Sequence, residues 1–188
     1  MDVKRTLFLV EVAIFASFAI VLDLIPFLSF KIWPQGGSVS LAMIPIFLVA
    51  FRWGTKGGLL AGLLYGLLQL IIEPHIRHWL QAILEYGVAF AGLGLAGLFA
   101  KQARKAISAE NSRAFIRNVI MGVLLGCSVR YLAHILAGVV FFKEYAPEGI
   151  PVWWYSITYN GTYMLPSFII CTVAVWLLFS RQPRLIKI

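Results

Sequence analysis

Charged residues are scarce in this chain. Of its 188 residues, 13% are Asp, Glu, Lys or Arg and 61% are hydrophobic, whereas soluble domains carry about 25% charged residues. The composition therefore excludes an ordinary soluble domain. The longest polar stretch, at 101–115, is too short to form a domain of its own, so we expect a single membrane domain over residues 1–188.

Motifs of ATP hydrolysis and of common hydrolases are absent from the sequence. It contains no GxxxxGK[ST], no HExxH and no GxSxG pattern, and "GTKGG" at 54–58 is only a fragment of the first. The chain is therefore not expected to hydrolyse ATP by itself. We predict that it is not an enzyme and that it needs no cofactor.

Cysteine and histidine are also few. Cys127 and Cys171 lie in apolar runs, where they are interpreted as small core residues rather than as a disulfide. "EPHIRH" at 73–78 offers Glu73, His75 and His78 as metal ligands, but no fourth ligand follows at a suitable spacing. Ordinary loop histidines are the favoured interpretation, and no metal site is predicted.

Long apolar runs dominate what is present. A run of about 20 apolar residues is long enough to cross a bilayer as a helix. We therefore predict an all-α integral membrane protein with six transmembrane helices. The candidate spans are 6–28, 38–52, 57–72, 79–100, 116–142 and 152–180.

Basic residues fall mainly on one side of these spans. The side with both termini holds 12 of the 16, namely Lys4, Arg5, Arg52, Lys56, Lys101, Arg104, Lys105, Arg113, Arg117, Arg181, Arg184 and Lys187. The other side holds Lys31, Arg77 and Lys143, and Arg130 is inside a span. This positive-inside pattern predicts cytoplasmic termini, and it explains the net charge of +8 by the bilayer rather than by a nucleic-acid partner.

Small residues recur at helical spacing in two spans. Glycines at 54, 58, 62 and 66 form a ladder that favours close helix packing within the chain. Ala13-x-x-x-Ser17 forms a second small patch on the first span. Packing within the chain is the simpler interpretation of this patch, and contact with a partner helix is left open.

Polar side chains gather at one depth in three of the spans. Counted from the outer ends of their helices at 1.5 Å per residue, they lie about 6–13 Å below the outer surface. They are Glu85, His134, Tyr155 and Asn160. Ionisable residues inside a membrane indicate a functional site, with structural pairing as the alternative. For Glu85 that alternative is a pair with Arg130 or His134.

The helical faces partly agree with one pocket. Arg130, His134 and Gly138 follow one stripe, and Gly138 would leave room for a ligand. Tyr155 and Asn160 are five residues apart, about 140° around a helix, so both face one pocket only if the helix begins irregularly or the ligand is wide. A carboxylate, an imidazole, an amide and aromatic rings together suit a flat heterocycle with a positive charge.

Several segments resemble the thiamine-binding subunits (S components) of energy-coupling factor (ECF) vitamin transporters. The most specific are "QAILEYGVAF", "RYLAHILAGVVFFKEYAPEG" and "WYSITYNG"; "EVAIFASFAIVLDLIP", "SVSLAMIPIFLVAFRWG" and "AGLGLAGLF" also match. The resemblance implies high-affinity capture of thiamine outside a bacterial plasma membrane. It also implies docking onto a transmembrane coupling protein with two ATPase subunits, which drive uptake.

The resemblance also implies roles for individual residues. The family's aminopyrimidine-binding residues match Glu85, His134, Tyr155 and Asn160. Aromatic residues that stack on the thiazolium ring match Phe142, and Trp33 is the candidate for a tryptophan in the loop after the first span. The basic position on the fifth span is Arg130, Tyr86 is a further rim aromatic, and the coupling patch is Ala13 with Ser17.

Other functions stay open from the residues alone. The chain could bind another vitamin or a thiamine precursor. A self-sufficient secondary carrier would need a proton or sodium site, for which Glu11 or Asp23 is available. A small membrane enzyme would need a nucleophile beside His134, and Ser128 or Ser156 is the nearest candidate.

The asymmetry of basic residues generates a prediction about topology. Single cysteines introduced by Glu148→Cys and Ser108→Cys should react with a membrane-impermeant reagent from opposite sides of the bilayer, because the two positions lie on opposite sides of the predicted spans. Reaction from the same side would contradict both the orientation and an outward-facing pocket.

Overall fold

The protein folds as a helical bundle with one small β hairpin. A computed structural model describes residues 3–33 and 36–187. The helices are α1 (Val3–Leu24), α2 (Met43–Ile72), α3 (Trp79–Ser108), α4 (Ser112–Phe141) and α5 (Val152–Arg181). The strands are β1 (Ser29–Trp33) and β2 (Gly36–Ser40), and short 3₁₀ helices occupy Lys143–Tyr145 and Pro183–Ile186.

These five helices, among the described residues, are long and apolar enough to cross a membrane. Their outward faces carry large apolar side chains. On α4, for example, Leu132, Leu136 and Val140 are all more than half exposed. Exposure of such an apolar surface to water costs free energy, whereas contact with lipid tails does not. The prediction of a mostly helical membrane protein is therefore confirmed.

Helix α2 is broken at Gly54. This residue has φ 75° and ψ −170°, a conformation that a side chain disfavours. A Cβ atom built on Gly58 would lie 2.6 Å from the Cβ of Ala50, although residues eight apart in one straight helix are about 12 Å apart. The two arms of α2 therefore fold back on each other. The break falls between the predicted spans 38–52 and 57–72.

The hairpin corrects the all-α prediction. The strands pair antiparallel with Ser29 opposite Ser40 and Phe30 opposite Val39. Residues 38–42, predicted as the start of a span, therefore form β2 and the turn before α2. The hairpin is not visible in the sequence, because Val39 and Leu41 continue directly into the apolar run of α2. No polar boundary marks the end of the strand.

The boundaries of α3 also differ from the prediction. The polar stretch 101–115 was expected to be a loop, but α3 continues to Ser108 and α4 begins at Ser112. Ala103 and Ala106 bury one face of this extension, while Lys101 and Lys105 face outward. An amphipathic face of this kind supports a helix that extends past the apolar run.

The glycine ladder packs α2 against α3. A Cβ on Gly58 would lie 2.6 Å from the Cα of Gly94, and one on Gly62 would lie 2.8 Å from the carbonyl carbon of Phe90. Gly66 is equally close to the backbone of Tyr86. The two backbones are in direct contact at four-residue intervals, which confirms the prediction that this ladder packs within the chain.

One end of the bundle is closed by polar contacts. The Arg52 guanidinium donates a hydrogen bond to the carbonyl of Leu185 (3.0 Å), and Arg104 donates one to the carbonyl of Arg52 (2.6 Å). Arg52 also pairs with Glu11 on α1, with Nε 2.5 Å from Oε2. The break in α2, the C-terminal end of α3 and the last 3₁₀ helix therefore meet at this end, and the opposite end holds the hairpin.

Substitutions in the ladder test this packing. Gly62→Ala should lower the melting temperature of the purified protein, because its methyl group would meet the Phe90 carbonyl and overpacking costs about 1–3 kcal/mol. Gly87→Ala is the matched control, since nothing lies within 4 Å of its Cβ; alanine there should leave the melting temperature unchanged or raise it. Equal melting temperatures for both variants would contradict the contact.

Candidate functional site

A cavity of about 880 Å³ opens at the hairpin end of the bundle. Its walls come from the last turns of α1 and α2, the first turns of α3, the last half of α4 and the first half of α5, and the hairpin covers it. Cavities that hold small organic ligands measure about 300–1,000 Å³. The bundle therefore has room for one such ligand.

The structure brings nearly all of the predicted site residues together here. The cavity lining includes Glu85, Tyr86, Arg130, His134, Gly138, Phe142, Tyr155 and Asn160. Trp33 is the exception. It borders an adjacent recess of about 180 Å³ with Tyr155 and Tyr159, and its indole Nε1 donates to the Thr162 hydroxyl (2.9 Å). The predicted residues thus come from three helices and share one space.

A chain of hydrogen bonds fixes the carboxylate in this cavity. Nε of Arg130 donates to Nε2 of His134 (3.3 Å), so this ring nitrogen is the acceptor and the ring proton lies on Nδ1. Nδ1 then donates to Oε1 of Glu85 (3.2 Å). The guanidinium of Arg130 in turn lies over the Phe90 ring, 4.6 Å from its centroid. Glu85 is therefore paired with His134, and it reaches the charge of Arg130 only through the imidazole.

Gln81 holds the other oxygen of the carboxylate. Its side chain is fully buried, and its amide donates both to Oε2 of Glu85 and to the carbonyl of His75 (3.0 Å). Its own oxygen accepts from the Arg77 backbone N–H (3.1 Å). Each oxygen of Glu85 thus has one partner and keeps capacity for another, and the side chain remains 20% exposed toward the cavity.

The helix that carries Glu85 is locally widened. Residues Ile83–Val88 form a π-helical turn, and Leu93–Phe99 a 3₁₀ segment. A π turn holds an extra residue and is frequent at functional sites. The sequence gives no periodic signal for it, since apolar residues surround Glu85 on all sides, and the sequence analysis did not find it.

Gly138 has a different role from the one predicted. It lines the cavity, but a Cβ built on it would meet the hydroxyl of Ser156 and lie 3.2 Å from that residue's Cβ. Ser156 donates to the carbonyl of Ile135 (3.0 Å) and so ties α5 to α4. Gly138 therefore allows a close crossing of two helices, and its free space is already filled by a side chain of the protein.

Tyr155 and Asn160 both line the cavity from a regular helix. Because α5 is helical from Val152 onward, an irregular start does not explain their common orientation; the width of the cavity does. Asn160 is buried, donates to the carbonyl of Ser156 (2.8 Å) and accepts from the hydroxyl of Tyr163. One lone pair of its oxygen remains for a ligand.

Two further tyrosines on α5 escaped the sequence analysis. Tyr159 and Tyr163 line the cavity, and with Tyr155 they form a stripe at four-residue spacing. The Tyr159 hydroxyl donates to the carbonyl of Gly36 (2.9 Å), and the Tyr163 ring lies under Gly37, where a Cβ would come within 2.5 Å. The i, i+4, i+8 spacing was the signal that could have revealed them.

Asp23 joins the hairpin to the bundle. Oδ1 accepts from the hydroxyls of Ser29 (2.8 Å) and Ser40 (2.7 Å), one on each strand. Oδ2 accepts from the side-chain amide of Gln69 on α2. The sequence analysis singled out Asp23 without a cavity role. The structure places it in the cavity wall, engaged by three partners.

A guanidinium group lies among aromatic rings at the rim. The Arg77 Cζ is 5.0 Å from the centroid of the Phe142 ring and 4.9 Å from that of Tyr145. Arg77 also pairs with the carboxylate of Glu144, and a second rim pair joins Lys31 to Glu73 (3.3 Å). The rim of the cavity therefore carries two ion pairs, and in each pair the two charges are opposite.

The candidate partner patch lies on the opposite face of α1 from the bundle. Ala13 and Ser17 are exposed, whereas Val12 and Ala16 are buried. Glu11, two positions before Ala13, pairs with Arg52 and accepts a hydrogen bond from the indole N–H of Trp53 (2.6 Å). The small patch is therefore exposed on the outer face of α1, and the nearby carboxylate of Glu11 is engaged.

The helices define a multi-pass membrane protein, and one end of its bundle holds a cavity of the size that small organic ligands occupy. The thiamine transporter protein family model (Thia_YuaJ) matches residues 9–187. Thiamine transporter ThiT of Bacillus subtilis is 49% identical over 98% of this chain and 96% of its own length. Thiamine transporter ThiT of Lacticaseibacillus paracasei is 33% identical, over 97% and 91%.

Solved structures agree with the sequence relatives. The structure described as native-SAD phasing for ThiT from Listeria monocytogenes matches with a TM-score of 0.90 at 34% identity, over 98% of this chain and 100% of that one. The S component of a bacterial ECF transporter matches at 0.62 and 14% identity, over 96% and 97%, which shows a shared fold. The chain belongs to the thiamine transporter protein family. Its relatives are named as transporters rather than enzymes, and it is a multi-pass membrane protein of the bacterial type.

Proposed function

We propose that this chain is the thiamine-binding S component of an ECF transporter. It would capture thiamine outside the cell with high affinity and deliver it for ATP-driven uptake. The observation that carries the proposal is the carboxylate–imidazole pair of Glu85 and His134 inside a cavity lined with aromatic rings. Membership of the thiamine transporter protein family supports the same ligand.

The proposed binding mode assigns each half of thiamine to one part of the cavity. The aminopyrimidine lies against Glu85, His134 and Asn160, where its amino group donates to the free lone pairs of the carboxylate. The thiazolium ring lies toward Phe142, because an aromatic face attracts a cation. Tyr86, Tyr155 and Arg130 complete the lining. Gly138 lines the cavity at the crossing of α4 and α5, and Trp33 acts on the cavity from the adjacent recess, through the hairpin.

The proposed topology has six spans with both termini in the cytoplasm. The two arms of α2 count separately in this scheme, and the break at Gly54 supports that count. The cavity then opens to the outside, and the end that is clamped by Arg52 faces the cytoplasm with most of the basic residues.

The proposed partners are a transmembrane coupling protein and two ATPase subunits. The exposed face of Ala13 and Ser17 supports this, because small residues allow a partner helix to approach closely. The sequence contains no GxxxxGK[ST] motif, which also supports ATP hydrolysis by partner subunits. The secondary-carrier alternative is not favoured, since Glu11 and Asp23 are both engaged by side-chain partners. The relatives' names disfavour an enzyme.

Calorimetric titration of the purified protein tests the ligand. Thiamine should bind most tightly, its uncharged pyrimidine precursor more weakly, and riboflavin and biotin should give no heat of binding. Tightest binding of the precursor or of another vitamin would identify an S component of different specificity.

Glu85→Gln tests the role of the carboxylate. A hydrogen bond to a charged group contributes about 1.5–3 kcal/mol, so the affinity for thiamine should fall roughly 10- to 150-fold. Glu73→Gln is the matched control, because it removes the same charge from the cavity lining at an exposed rim pair; its affinity should change by less than about threefold. If Glu85→Gln binds normally but melts earlier, the carboxylate serves only the pair with His134.

Ser17→Trp and Ala13→Trp test the coupling patch. Either bulky ring should hold a partner helix away and block uptake in cells that express the coupling protein and ATPases, while thiamine binding to the purified subunit stays unchanged. Leu132→Trp is the control, since Leu132 also lies on an outer face, 57% exposed on α4. If the Leu132 variant also lost uptake, the coupling protein could not be assigned to the patch on α1.

A further inference from the structure

Arg77 occupies a site built for a cation. Its guanidinium lies against the rings of Phe142 and Tyr145, at 5.0 and 4.9 Å from their centroids. It also pairs with the Glu144 carboxylate and donates to the Tyr145 hydroxyl. We call Phe142, Glu144 and Tyr145 the cation cluster. Two aromatic faces with a carboxylate are the groups that recognise a flat organic cation.

The cation cluster borders the cavity rather than the outer surface alone. Arg77, Phe142 and Tyr145 all line the cavity, and the side chains of Arg77 and Glu144 are 41% and 51% exposed. The chain's own guanidinium therefore lies where a ligand's positive ring would gain most from the cluster. The two cations cannot occupy the same aromatic face at once.

The loop that carries Arg77 is held by hydrogen bonds that do not involve the guanidinium. The backbone N–H of Arg77 donates to Gln81, and Gln81 donates to the carbonyl of His75 (3.0 Å). The backbone N–H of His75 donates to the Tyr86 hydroxyl (2.9 Å). These bonds fix residues 75–77 against α3 without the guanidinium, so the guanidinium can leave the cluster while the loop keeps its backbone contacts.

We propose that Arg77 is an internal occupant of the cation cluster that a cationic ligand must displace. The inference rests on the proposed function for the identity of that ligand. A cationic ligand must first break the contacts between Arg77 and the cluster, and this reduces the binding free energy that it gains there. Arg77 therefore lowers the affinity for cations and leaves the affinity for neutral ligands unchanged. It thereby sets how strongly the protein distinguishes thiamine from its uncharged pyrimidine.

Titration of Arg77→Gln tests the displacement. With the cluster vacant and one positive charge removed, thiamine should bind about 3- to 30-fold more tightly than to the parent, and the pyrimidine precursor should bind equally to both. Lys143→Gln is the matched control, because it removes an equal charge from the neighbouring exposed position. Its thiamine affinity should stay within about twofold of the parent.

Tyr145→Phe approaches the same question with a smaller change. It keeps the aromatic ring and removes the hydroxyl that accepts from Arg77, so thiamine should bind more tightly and the precursor unchanged. Equal gains for both ligands, weaker thiamine binding in both variants, or the same gain in Lys143→Gln would overturn the proposal.

Methylguanidinium provides a measurement that is independent of thiamine. In Arg77→Ala the free cation should fill the vacated cluster and raise the melting temperature in a saturable manner, whereas the parent and Lys143→Ala should not respond. If the parent fails to bind thiamine while Arg77→Ala responds to methylguanidinium, the proposed ligand is wrong and the occupied cluster stands. Absence of any response in Arg77→Ala overturns the cluster itself.

Discussion

A carboxylate that lies within the membrane must find partners, and this requirement organises the whole molecule. The described residues include three such groups, and each is engaged in a different place. Glu11 is held by Arg52 at the end that the last 3₁₀ helix closes. Asp23 joins both strands of the hairpin to α2, and Glu85 takes its two partners from α4 and from its own helix. The two ends and the cavity are each fixed by one acidic side chain.

The three carboxylates differ in how many donors surround them. This difference distinguishes the two that only hold the structure together from the one that can also bind a ligand. A bidentate arginine leaves Glu11 little capacity for a further hydrogen bond, and the three donors around Asp23 have the same effect. Glu85 instead receives one neutral donor at each oxygen and faces an open space. A carboxylate that has a donor at each oxygen and a free lone pair beside it can accept from a ligand without first losing these hydrogen bonds.

The helices and eight of the residues that line the cavity could be predicted from the sequence because both leave a pattern. Long apolar runs indicated the spans, and isolated polar groups such as Glu85 and His134 are conspicuous inside them. The hairpin, the π turn and the role of Gly138 left no such pattern. The hairpin depends on the contact of Asp23 with Ser40, and the role of Gly138 depends on its contact with Ser156, which are both contacts between different elements of the chain. One-dimensional periodicity contains no information about these contacts.

The cavity residues that were missed share this origin. Asp23 and Gln69 are near the ends of their helices, where polar residues are ordinary in a membrane protein, and only the hairpin makes them part of a wall. Arg77 was counted as an outer basic residue, and nothing in its neighbourhood in sequence indicates the rings of Phe142 and Tyr145 that surround it.

The π turn at Ile83–Val88 makes the length of this segment as important as its composition. The turn lies between Gln81, which is fixed to the loop before α3, and Phe90, whose backbone is fixed against Gly62. One residue corresponds to about 100° of rotation in an α helix. Removing a single residue here would therefore turn the acidic side chain away from the imidazole while both ends stayed anchored. In this segment a substitution therefore keeps the direction in which Glu85 points, whereas an insertion or a deletion would change it.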